Sequence, residues 1–208
     1  MNVATAADSI FTKFNAFLLD VERTRSRMES LYSAGQVSRR DIETSYEGLF
    51  LSVITRFEVL IEDLFFGLLA GRIDGGSCRS APRIQVSSNR VAREIVFRER
   101  SYIDWLPYAR TEELARAFLS RGRPFTALEP AEKGTLTSML AIRHAIAHRS
   151  RHANAAFKLK VLGAIPLPPR ERTPAGFLRS QYRTNPPETR LQLYVNQIRK
   201  VSFKITHK

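Results

Sequence analysis

Residues 41–69 read DIETSYEGLFLSVITRFEVLIEDLFFGLL. Within them Ile42, Tyr46, Leu49, Phe50, Val53, Phe57, Leu60, Ile61, Leu64 and Leu68 form one apolar stripe at helical spacing. The stripe closes near Gly71. Ser38, three residues ahead of Asp41, is the expected N-cap. Toward the N-terminus, Ile10, Phe11, Phe14, Phe17, Leu18 and Val21 repeat with the same period. They predict a helix from about Ala4 to Leu31, ended at Gly35.

Toward the C-terminus the punctuation is denser. Residues 72–90 (RIDGGSCRSAPRIQVSSNR) read as a Gly/Ser-rich loop. A short amphipathic helix follows over Val91–Arg98, with Val91, Ile95 and Val96 inward. After Pro107, Thr111 is the expected cap of another helix, with Glu112 and Glu113 in its first turn and Leu114, Phe118 and Leu119 inward. Gly122 and Pro124 stop it. Thr126 and Glu129 make a T-x-x-E capping box ahead of Pro130, opening a long helix through about Lys160. Residues 163–174 (GAIPLPPRERTP) read as extended, and Asn185-Pro186 with Glu188 as a capped helix start. Leu191 to Ile205 fits a helix or, because Val201, Phe203 and Ile205 alternate, a strand. There is no internal repeat and no alternation of strands with helices. The expected fold is all-α: a bundle of four to six helices over residues 1–160, then a basic, proline-containing extension over residues 161–208.

The 208 residues carry a net charge of +13, unevenly placed. Residues 1–142 hold 19 Lys+Arg against 18 Asp+Glu, whereas residues 143–208 hold 14 Lys+Arg against only Glu171 and Glu188. A near-neutral body with a basic end implies a polyanionic partner, nucleic acid before others; the bland alternative is a solubilising tail. A single cysteine, Cys78, excludes an internal disulfide framework and a cysteine zinc cage. No apolar run reaches the roughly 18 residues of a membrane span. Met1 to Phe11 contains Asp8 and lacks a basic region, unlike a secretory signal. The expected location is cytoplasmic, with no membrane partner.

Three of the four histidines lie within nine positions, in Arg143-His-Ala-Ile-Ala-His148-Arg-Ser-Arg-His152. On one continuous helix, Ile142, Ile146 and Met139 would share an apolar face, and Arg143, His144, His148, Arg151 and His152 a broad polar arc that includes Ala147. Three readings compete. One is a solvated polar face. Another is a metal site at His144, His148 and His152, disfavoured by the flanking arginines and by the lack of a nearby carboxylate. The third is metal-free acid–base chemistry on phosphates, for which imidazoles beside guanidiniums are suited.

The run Arg143-His-Ala-Ile-Ala-His148 resembles the R-x(4–6)-H motif of HEPN domains, with a polar residue straight after the Arg. Upstream, Thr55-Arg-Phe-Glu-Val-Leu-Ile-Glu-Asp-Leu-Phe66 is similar to an early helix of that family, particularly its RiboL-PSP-HEPN-like branch. The likeness covers about residues 40–155. It implies a metal-independent endoribonuclease of toxin or phage-defence type, acting without a cofactor on RNA such as tRNA. It also implies a homodimer whose two motif helices form one composite site, with a possible cognate antitoxin. Arg143 and His148 are then the catalytic pair. His144 and Arg151 grip flanking phosphates, and Glu58 is the candidate to orient Arg143. Two positions depart from the family: His144 stands where Asn is common, and Ser150 where some members carry a Tyr that an antitoxin modifies. Two alternatives belong to other classes: a non-catalytic RNA-binding or scaffold protein with the same fold, and a DNA-binding regulator, which lacks a helix-turn-helix signature.

Overall fold

The computed structural model describes residues 5–73, 80–84, 86, 88–97 and 102–207. Cys78, Arg98 and most of the Gly/Ser-rich loop lie outside the described residues.

Two long helices open the chain, α1 (Thr5–Ser33) and α2 (Arg39–Leu69). Both end in the same way. Gly35 and Gly71 take positive φ, +70° and +64°. In each case the next residue donates back five residues, Gln36 to the Leu31 carbonyl and Arg72 to the Gly67 carbonyl, while the glycine itself donates to Tyr32 or Leu68. The pattern satisfies the orphan carbonyls and needs a residue without Cβ at the reversal. Between them Ser38 starts α2 as its spacing predicts. The Asp41 amide donates to Ser38 Oγ at 3.3 Å, and the Ser38 amide donates back to Asp41 Oδ2 at 2.8 Å.

Among the described residues there are six further α-helices: α3 (Asn89–Phe97), α4 (Tyr108–Phe118), α5 (Pro130–His148), α6 (Arg151–Phe157), α7 (Pro174–Arg179) and α8 (Arg190–His207). A π-helical turn, Lys158–Leu162, extends α6. One antiparallel hairpin, β1 (Gln181–Thr184) with β2 (Pro187–Thr189), pairs Gln181 with Thr189 and Arg183 with Glu188. The chain is thus mostly helical. No helix among the described residues is long and apolar enough to cross a membrane.

The chain divides into two compact units. The first comprises residues 1–15, 56–136 and 199–208. Its centre is aromatic. Phe65, fully buried, meets Phe66, Trp105, Phe118 and Phe125 at ring-centroid distances of 5.3–6.2 Å, edge-on or tilted. The Trp105 indole donates to Glu62 at 3.0 Å, and Arg93 pairs with the other Glu62 oxygen while lying over the Phe66 ring. Tyr108, buried, donates to the Phe125 carbonyl.

Several sequence expectations change here. On α3 the buried residues are Ala92 and Val96, and Ile95 is exposed. The helix therefore sits rotated so that the Ala92–Val96 edge, one turn apart, meets the core. Thr111 does not cap α4. It is buried in the first turn, with its hydroxyl donating to the Trp105 carbonyl at 2.6 Å, and Pro107 occupies the cap position. The capping box of α5 is displaced by three residues: Glu132 accepts from the Glu129 amide at 2.6 Å, while Thr126 bonds the Arg121 carbonyl in a preceding turn.

The second unit comprises residues 16–55 and 137–198. Leu18, Val21, Ile42, Tyr46, Phe50 and Val53 of α1 and α2 are buried in it, as are Met139, Ile142, Ala145 and Ile146 of α5 and Leu191, Val195 and Ile198 of α8. Phe157, Phe177, Tyr194 and Phe50 form an aromatic chain at centroid distances of 5.8–6.5 Å. Asn185 and Pro186 do not start a helix; they fill the turn between β1 and β2. The start signal of α8 is T-x-x-Q at Thr189 and Gln192, whose side chains each bond the other's backbone amide at 3.0 and 3.3 Å. The last segment is helical. Val201 and Ile205, four apart, are buried, whereas Phe203 is 48% exposed, so the alternation at 201, 203 and 205 is not a burial pattern.

At the rim of this unit Glu29 receives Arg179 through two bonds of 3.0 Å and the Tyr46 hydroxyl at 2.8 Å. Burial alone would raise the Glu29 carboxyl, but the hydrogen bonds and charge of Arg179, with the Tyr46 bond and Arg25, hold it below its usual range. Burial pushes the Tyr46 phenol up to about 12, and Tyr194 likewise. A phenol whose folded pKa exceeds its unfolded value, about 10, contributes stability below pH 10 that is lost as pH rises toward 12. Chemical denaturation across that window is expected to show falling stability, and Tyr46→Phe is expected to show a shallower fall. Equal slopes would remove the Tyr46 contribution. Phe65→Ala, which empties the aromatic centre of the first unit, is expected to cost about 3–5 kcal/mol in the same assay.

Candidate nucleic-acid interface

The motif residues sit at the C-terminal end of α5. Ala141, Ile142, Ala145 and Ile146 are buried and fix the helix. Arg143 and His144 are half-buried, and Ala147 and His148 are exposed. The imidazoles of His144 and His148, one turn apart, have centroids 5.7 Å from each other.

The helix does not run on to Lys160 as its composition predicts. Arg149 takes φ +45°, a left-handed conformation that an α-helix cannot contain. Ser150 then caps α6, its hydroxyl accepting from the Ala153 amide at 3.1 Å. Arg149 reaches Glu47 at 3.4 Å; burial raises the Glu47 carboxyl, and the guanidinium opposes that rise. His148 therefore closes one helix, and Arg151 and His152 open another. Angular positions projected from Arg143 hold through His148 and fail for Arg151 and His152. The ladder His144, His148, His152 needs an unbroken helix and does not form. Among the described residues no three metal-capable side chains converge.

The predicted residues are thus distributed. Arg143, His144 and His148 share α5, with Arg143 and His148 about 140° apart around it. Arg151 is exposed on the first turn of α6. Glu58, half-buried on α2, belongs to the first unit, whereas the motif belongs to the second.

Two features escaped the sequence reading. In the first unit, Phe11, Phe203, Arg199, Lys200 and Lys204 line a hollow of about 500 Å³. Phe203 stacks on His207 at 4.1 Å, Arg199 donates to Asn15, and Lys204 pairs with Glu132 at 2.8 Å. The spacing of Phe203 and His207 on a basic helix was the available signal. In the second unit, a polar cleft of about 640 Å³ gathers Arg25, Arg39, Arg170 and Arg179 from four separate segments. No linear pattern announces it.

Ser150→Ala removes the cap that restarts the helix beyond the motif. Thermal or denaturant unfolding is expected to show a loss of about 1 kcal/mol, with Ser150→Asp restoring most of it. An unaffected alanine variant would show that α6 is set by packing alone.

Comparison with known proteins returns no matching family model, no matching curated protein and no matching solved structure.

Proposed function

We propose that the chain is a metal-independent endoribonuclease of HEPN type, working as a homodimer at a site formed by two copies of the α5 end. The observation that carries this reading is the break at Arg149, which leaves His148 exposed on a final turn whose other face is anchored in the core. Exposed Ala147 beside it offers room for close approach of a second helix. The angular spread of Arg143 and His148 favours two copies over one, since a two-fold pairing gives one phosphate access to an Arg143 and to both His148.

The chemistry uses the nucleophile that RNA carries. One His148, neutral, takes the 2′-OH proton as that oxygen attacks phosphorus. The other, as imidazolium, gives its proton to the departing 5′-oxygen. Arg143 stabilises the charge that builds on the phosphorane oxygens. The products are a 2′,3′-cyclic phosphate and a 5′-hydroxyl. His144, one turn from His148, and Arg151 hold flanking phosphates of a structured substrate such as tRNA. A cellular toxin of this kind would be held in check by a cognate antitoxin.

Labelled RNA in EDTA tests the reading. Cleavage is expected to persist and to follow a bell-shaped pH profile. His148→Ala is expected to lose more than the ~10²–10⁴-fold of one acid–base group, because both copies lose theirs. Arg143→Ala is expected to lose about 10²–10³-fold. A 2′-O-methyl group at the cut position is expected to block cleavage there, and equal cutting of that substrate would exclude internal attack. Binding without cleavage would favour the second reading, a non-catalytic RNA-binding protein, which rests on the basic charge of residues 143–208.

For that charge, point variants are the cleaner probe. α8 carries Leu191, Val195, Ile198, Val201 and Ile205 into buried positions, so deleting the C-terminal residues removes core as well as charge. Lys158→Glu with Lys160→Glu, both exposed on the π-helical turn, is expected to reduce the salt dependence of RNA binding by about two phosphate contacts. An unchanged salt slope would place the phosphate contacts elsewhere.

A further inference from the structure

We infer that the polar cleft of the second unit is a binding site for an organic phosphate of nucleotide size. This does not rest on the ribonuclease reading, and it concerns none of the motif residues.

Four guanidiniums meet there from separate stretches of chain: Arg25 on α1, Arg39 on α2, Arg170 from the proline-rich segment, and Arg179 on α7. The cleft also holds carboxylates, and their partners decide its character. Glu29 is engaged by Arg179 and Tyr46. Glu43 accepts from Arg39 Nε at 2.7 Å. Glu188 is held by Arg183 at 3.1 Å and by Asn196 at 2.8 Å. These pairs neutralise the acids and fix the orientation of Arg179 and Arg39, each of which uses only part of its five-donor fork on its carboxylate. Arg179 is further held over the Tyr32 ring at 4.3 Å.

Arg25 and Arg170 then face the space with Glu171 as the remaining lining acid. Arg25 Nε is buried and has no hydrogen-bond partner; the nearest carboxylate, Glu22, is 3.9 Å away. Burial closes Nε itself to a ligand, so Arg25 contributes to the cleft through the charge of its guanidinium. Arg170 is exposed at the cleft, but its backbone is fixed. Its carbonyl oxygen lies so close to Gly176 that a Cβ there would come within 2.1 Å of it. The proline-rich segment is thereby anchored on α7 and presents Arg170 from a set position.

Oriented guanidiniums from four segments, with one remaining acid, suit a multiply charged oxyanion, the recognition chemistry of phosphate. A volume of about 640 Å³ matches a small-molecule pocket. Gln181 in its lining, outside the Thr189–Gln192 cap, supplies a hydrogen-bonding side chain for the rest of such a ligand. The phosphate can come from a free nucleotide or from the 5′ end of an RNA strand.

Isothermal titration of the full chain separates these sources. The probes are 5′-AMP, inorganic phosphate, and one short oligoribonucleotide with and without a 5′-phosphate. Saturable binding of 5′-AMP, tighter than inorganic phosphate, is expected, and it supports a free nucleotide. Binding of the 5′-phosphorylated oligomer alone, lost with its phosphate, supports a strand end. In either case Arg170→Ala is expected to weaken binding about tenfold or more with an unaltered melting temperature. Arg25→Gln is expected to weaken it as well, and His148→Ala to leave the binding of 5′-AMP unchanged. No saturable binding of 5′-AMP or the phosphorylated oligomer at about 1 mM would overturn the proposal. So would equal affinity in wild type and Arg170→Ala, which leaves the arginines as a purely structural ion-pair network.

Discussion

Burial of the α2 stripe is the constraint on which the structure is built. Ile42, Tyr46, Phe50 and Val53 are buried in one compact unit, and Phe57, Leu60, Ile61, Leu64 and Phe65 in the other. Each large apolar side chain taken from water contributes about 1.5–3 kcal/mol, an upper bound given a partly collapsed unfolded chain. Among the described residues, no other helix buries so many large apolar side chains. The remaining elements are placed by what they can offer to that face: aromatic rings around Phe65, and the aliphatic edges of α5 and α8 in the second unit.

Against this background the break at Arg149 is a local event with a chemical consequence. A helix running on through residues 149–152 would have carried Arg151 and His152 around the same cylinder as His148. The left-handed residue and the Ser150 cap end α5 instead, so that His148 is terminal and exposed. A non-glycine residue in this conformation is uncommon, and the Arg149–Glu47 contact and the Ser150 cap are the local interactions that accompany it.

Electrostatics also changes meaning between sequence and structure. Counted along the chain, residues 143–208 are a basic tail. In the fold, Arg149, Arg179, Arg183 and Lys204 are matched to Glu47, Glu29, Glu188 and Glu132. Part of the positive excess thus serves the structure, Arg183 within the hairpin and the other three across long sequence separations. A charge sum cannot see this, because it weighs an arginine on a buried carboxylate and one in solvent alike.

The sequence by itself determined the helical class, the bounds of α1 and α2, and the apolar face of α5, because periodicity and caps are local properties of the chain. It also held signals that were read in the wrong register. Glu132 rather than Glu129 closes the α5 box, and Thr189 with Gln192 starts α8 where Asn185 and Pro186 had suggested a cap. The motif residues Arg143 and His148 were legible because they lie in one short run. What only the tertiary structure decided were the rotation of α3 that exposes Ile95, the burial of Thr111, the helical state of residues 201–205, and the gathering of Arg25, Arg39, Arg170 and Arg179 around one cleft. Each depends on which distant side chain arrives at a given face, and steric fit and paired charge settle that only once the chain has closed on itself.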